Sequence, residues 1–130
     1  MKLGDVNAVA NVAVKDLAAA KKFYAGTLGL EQVHDDGGEV AVYRSGSSLL
    51  NVYRSEYAGT NKATAVTWEV GDAIDDMARE LRAKGIVFER YDMPGLTLEG
   101  DLYSGYGMKV GWFKDPDGNI LNIIKSAADS

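Results

Sequence analysis

Residues 6–14 are mostly valine and alanine, the pattern of a buried strand. Asp16 follows where a helix N-cap belongs. Leu17, Ala20, Phe23, Tyr24 and Leu28 then recur at helical spacing, and Gly29 supplies a C-terminal stop. A short strand at 30–34 leads to a turn at Asp35, Asp36, Gly37 and Gly38. Strands at 39–44 and 49–54 flank a tight turn through Ser45, Gly46 and Ser47. The same order then returns. A strand at 63–70 precedes Asp72, a second N-cap candidate. Ile74, Met77, Ala78 and Leu81 form a helical stripe closed by Gly85. Strands are expected at 86–91, 108–114 and 119–125, the last two joined by Asp115-Pro116-Asp117-Gly118, a type I turn composition.

Counting supports an internal duplication. Val14, Asp16, Gly29 and Leu30 lie 56 residues before Val70, Asp72, Gly85 and Ile86. The strand around Leu49-Leu50-Asn51-Val52 lies 71 residues before that around Ile120-Leu121-Asn122-Ile123. The offset grows because about fifteen extra residues fall between Asp92 and Gly107, a glycine-rich stretch expected to be a long loop. The reading is an α+β chain of two βαβββ modules in pseudo-twofold repeat. They form a curved mixed sheet around a groove, with helices on the convex face. All of 1–130 is expected to be one domain, with module one at about 1–56 and module two at about 62–126.

Composition narrows the chemistry. No cysteine is present, which excludes a disulfide framework, a thiolate metal site and a cysteine nucleophile. A single histidine, His34, excludes any site needing two from one chain. Fourteen basic against nineteen acidic residues give a net charge of -5 with no basic block, so nucleic acid is not an expected partner. No apolar run reaches the ~20 residues of a membrane span, and the N-terminus lacks a signal-peptide pattern, so the expected location is cytoplasmic, with no membrane partner. Asp115 to Gly118 lacks the further carboxylates of a calcium loop, and no phosphate-cradling glycine motif opens either helix.

Val14-Lys15-Asp16-Leu17, followed by Lys22-Phe23-Tyr24 and Leu28-Gly29-Leu30, resembles the opening segment of the vicinal oxygen chelate superfamily, the glyoxalase/bleomycin resistance protein/extradiol dioxygenase family. Phe113 through Ile123 resembles its closing segment. In metal-using members the ligands are His, Glu or Gln side chains on the concave face. The resemblance places those slots on Val9, Asn51, Ala65 and Asn122. Two aliphatic residues and two neutral amides are poor donors for a divalent ion, so no metal and no cofactor is expected. A register slip of two, to Asn7, Asn11, Ala63 or Thr67, leaves that expectation unchanged.

Alternation puts Asn51 and Asn122 on the face opposite Leu50, Val52, Leu121 and Ile123, as amides for a ligand or for each other. Tyr53, Tyr103, Tyr106 and Trp112 are candidate aromatic walls. Thr67 and Glu69 share the face of Ala65, where a carboxylate holds a ligand cation or acts as a base. His34 reads as a surface residue. The reading is a metal-free small-molecule-binding protein, resembling the bleomycin resistance type, that sequesters a planar or cationic compound such as an antibiotic. Family resemblance implies a homodimer, with pairing of the two modules within one chain as the alternative. The alternatives are a metal-dependent lyase, isomerase or dioxygenase, metal-free acid/base chemistry by Glu69 or a loop tyrosine, and a non-binding accessory domain.

Overall fold

A computed structural model describes residues 1–5, 7–35 and 38–127. Val6 of the first expected strand, and Asp36 and Gly37 of the first expected turn, lie outside the described residues. The chain divides into two compact units, Met1–Ala58 and Gly59–Ser130. Each holds a mixed sheet and a helical segment, an α+β arrangement.

In the first unit β1 (Ala10–Val14), α1 (Leu17–Lys21), β2 (Glu31–Asp35), β3 (Val40–Ser45) and β4 (Ser48–Arg54) follow in order. The sheet order is β1-β4-β3-β2, with β1 parallel to β4 and the other pairs antiparallel. Asp16 caps α1 as expected, its carboxylate accepting from the Ala18 and Ala19 N–H groups. The helix runs on as a π-helical turn over Lys22–Thr27, closed by a bond from Leu28 N–H to the Phe23 carbonyl (2.9 Å). This brings the adjacent Phe23 and Tyr24 both into the core. Tyr24 meets Tyr43 of β3 at 6.0 Å between ring centroids, and Val12, Val14, Leu50 and Val52 complete this apolar side.

The second unit runs β5 (Thr64–Glu69), α2 (Ile74–Ala83), β6 (Thr97–Glu99), β7 (Leu102–Gly105), β8 (Met108–Lys114) and β9 (Ile120–Lys125). Its sheet order is β5-β9-β8-β7-β6, with β5 parallel to β9. The order β5-β9-β8-β7 reproduces β1-β4-β3-β2, so the topology is repeated, with β7 in the place that counting gave to 86–91. Leu121, Ile123 and Phe113 are buried on the side of Ile74, Ala78 and Leu81 of α2. Gly111 lets this layer close, because a Cβ there would lie 2.8 Å from Leu102 and 3.0 Å from the Phe88 ring.

Three expectations need correction. Asp72 does not cap α2. It sits inside a 3-10 turn, Gly71–Ala73, and its carboxylate pairs with Lys125 Nζ at 2.8 Å. Residues 86–91 form no ladder. Their one backbone bond to the sheet among those described runs from Glu89 N–H to the Trp112 carbonyl (2.7 Å). The place beside β8 is taken by β7 instead. The glycine-rich stretch is accordingly no long loop, since it carries the β6–β7 hairpin. Alternating apolar residues allowed either segment to pair with β8, and only tertiary packing chose.

Candidate ligand-binding site

Cross-strand neighbours point to the same side of a sheet, so register identifies each face. In the second unit Thr67 pairs with Asn122, and Asn122 with Trp112, giving one row across β5, β9 and β8. This row lies on the face opposite Leu121, Phe113 and α2. Tyr103 joins it from β7 through its pairing with Val110.

Trp112 is the centre of the row. Its ring meets Tyr91 edge-on at 5.5 Å and Tyr103 edge-on at 5.8 Å, while its indole N–H donates to Thr64 Oγ1 at 3.2 Å. Tyr103 is buried, and its hydroxyl is both acceptor and donor to the Tyr91 backbone, at 2.7 Å from N–H and 2.8 Å from C=O. That pair of bonds holds the 86–91 segment in place of a ladder. Lys114, two residues beyond Trp112 on its face, pairs with Glu89 at 3.5 Å.

Two polar atoms beside Trp112 are buried and unpartnered: the Asn122 Oδ1 and the Tyr91 hydroxyl. An unpaired group of this kind costs about 1–3 kcal/mol, and folded proteins hold few, so each asks for an explanation. Burial pushes the Tyr91 hydroxyl pKa up, with Glu89 and Tyr103 adding to the rise and Lys114 opposing it. The phenol therefore stays protonated and available as a donor.

The other candidate residues are placed differently. Glu69 Oε1 accepts from the Gly71 and Ser126 N–H groups, both at 3.2 Å, and ties the end of β5 to the end of β9. Tyr106 is exposed in the β7–β8 turn, at φ 54, with its hydroxyl end against Gly95. Asn51 and Tyr53 lie on β4 of the first unit. Asn51 donates to Asn11 Oδ1 at 3.3 Å, so its amide has a protein partner. Tyr53 is partly exposed. A register shift between Gln32 and His34 sets His34 opposite Val42, in the row of Asn51 and Asn11. His34 is exposed, as expected, yet shares the Asn51 face.

Tyr91 and Thr64 were not among the residues singled out from sequence. Parity within 86–91 was a usable signal for Tyr91, because Ile86 and Phe88 are buried and Tyr91 falls on the opposite parity. Nothing in the sequence signals the strand irregularity that places Thr64 opposite Ile120.

The family's metal slots were tested on the donors present. Val9 lies outside β1, and Ala65 sits at the irregularity between Thr64 and Val66. The strand neighbours of the two asparagines are Asn11 and Thr67. No group of three His, Asp or Glu side chains able to hold a metal occurs among the described residues. Neutral amides and a hydroxyl do not offset the dehydration of a divalent ion, so these residues do not fit the metal. A separate crevice of about 320 Å³ lies between α2 and the β6–β7 hairpin, where Arg82 pairs with Asp101.

No curated protein sequence matches the chain. Solved structures do. Lactoylglutathione lyase from Agrobacterium tumefaciens aligns with TM-score 0.70 at 17% identity, over 95% of each chain. The fosfomycin resistance protein FosX from Listeria monocytogenes aligns at 0.67 and 13%, over 93% of this chain and 90% of its own. A glyoxalase family protein from Enterococcus faecalis aligns at 0.65 and 21%, over 92% and 94%. At such identities the likeness shows the fold alone. The model of the Glyoxalase/Bleomycin resistance protein/Dioxygenase superfamily matches residues 6–123, almost the whole chain, and with the repeated sheet topology already described this chain belongs to that superfamily.

Proposed function

We propose that this protein is a metal-free small-molecule-binding member of the superfamily. It holds a planar compound, of the kind an aromatic antibiotic presents, against Trp112, Tyr91 and Tyr103 and releases it unchanged. The observation that carries this reading is the unpartnered, buried Asn122 carbonyl oxygen beside a half-buried tryptophan ringed by two tyrosines. Aromatic edges and faces give a flat ligand a large contact area, and a lone acceptor fixes its orientation. A neutral planar guest is favoured over a cationic one, because Glu69 is already engaged by two backbone donors. Binding as a homodimer, with 1–130 acting as one domain, belongs to the same proposal.

Protein purified without chelator is expected to contain no stoichiometric divalent ion and to keep its melting temperature in EDTA. A thermal-shift screen of planar antibiotics should give stabilising hits that Trp112→Ala abolishes, with the compound recovered intact. A stoichiometric metal whose removal abolishes turnover of a substrate would establish the enzymatic reading instead. Analytical ultracentrifugation is expected to report twice the 14.0 kDa chain mass.

A further inference from the structure

Resting on that binding site, the geometry points to a narrower ligand class: we infer that the site selects a flat heterocycle with a hydrogen-bond donor on one edge and an acceptor on the opposite edge. The donor meets the Asn122 carbonyl oxygen, and the acceptor meets the Tyr91 hydroxyl. Asn122 is on β9, to one side of β8, where it pairs with Trp112. Tyr91 comes from the segment on the other side of β8, which is joined to it through Glu89 N–H and the Trp112 carbonyl. The two residues therefore approach Trp112 from opposite sides of β8. A two-ring heterocycle with N–H and C=O on opposite edges presents one group to each side.

The two atoms are complementary in kind. An amide oxygen only accepts, and a protonated phenol beside an ammonium group serves as a donor. Neither has a partner in the protein. Neighbouring polar groups do not compete: the Tyr103 hydroxyl is taken up by the Tyr91 backbone, and the Trp112 N–H by Thr64. Both atoms are shielded from bulk solvent. A site built this way rejects analogues lacking either group, because one buried polar atom would stay unpaired.

The probes are 4-quinolone, its N-methyl derivative without the donor, and indole, which keeps an N–H and has no carbonyl, each titrated calorimetrically into the full chain. 4-Quinolone is expected to bind about fivefold to tenfold more tightly than either analogue. In Asn122→Ala the penalty for N-methylation should vanish while that for losing the carbonyl remains. In Tyr91→Phe the reverse should hold, a pattern that general loss of structure does not produce. Equal binding of all three probes to the native chain, or penalties that both variants keep, would overturn the donor–acceptor inference and leave planar binding standing. Failure of all three to bind, with planar compounds of other kinds also inert, would overturn both.

Discussion

Tyr43 and Tyr91 each bury a hydroxyl that finds no partner, and each has its pKa raised above 10.0, chiefly by burial. Asp35 adds to the rise at Tyr43. The ionised phenol is thus disfavoured in the fold. Below pH 10 both states keep the proton and stability is unaffected; above it the unfolded chain loses protons first, and stability falls as pH rises towards the folded values. Tyr43→Phe should reduce this alkaline loss in denaturant titrations at pH 9 and pH 11. At neutral pH it should be nearly neutral or slightly stabilising, since it removes an unpaired buried group rather than a bond. Gly59 is the opposite case. Its φ is +74, and a Cβ there would meet the Asp117 carbonyl oxygen at 1.9 Å. Backbone cannot swing away as a side chain can, so Gly59→Ala should lower stability by about 3 kcal/mol in urea unfolding.

Among the elements, β8 explains most of what sequence reading missed. Its outer edge is divided. The N-terminal half pairs with β7, as in Tyr103 opposite Val110, and the Trp112 carbonyl receives Glu89. The 86–91 segment is held chiefly by side chains, with Ile86 and Phe88 buried and its far end pinned by the Tyr103 hydroxyl. Tyr103→Phe removes two bonds and no ring. It should cost about 1–2 kcal/mol and speed hydrogen exchange at the Tyr91 amide before it affects the rest of the sheet. The Asp115 turn behaved as composition implied. Buried Asp115 accepts from the Asp117 and Asn119 N–H groups at 2.9 Å each and from the Asn119 side chain at 2.7 Å, a closed local network that any surroundings would preserve.

Ion pairs such as Arg44–Glu31 and Arg54–Glu39 join exposed side chains, and such pairs add little to stability. Net charge governs solubility instead. With a pI near 4.8, turbidity of a concentrated solution should pass through a maximum near that pH and clear on either side. The family and the α+β repeat of mixed sheets were legible in the chain. They rest on local signals: caps, glycine stops and period-two alternation. Tertiary structure alone decided that β7 rather than 86–91 sits beside β8, that Glu69 is a backbone tie, and that Tyr91 and Asn122 flank Trp112 with unpaired polar atoms. Those outcomes depend on which of several apolar segments packs best at an open sheet edge, and on strand irregularities that shift a face by one residue. Pairing across distant segments is settled by packing and backbone hydrogen-bond satisfaction, to which no local pattern is sensitive.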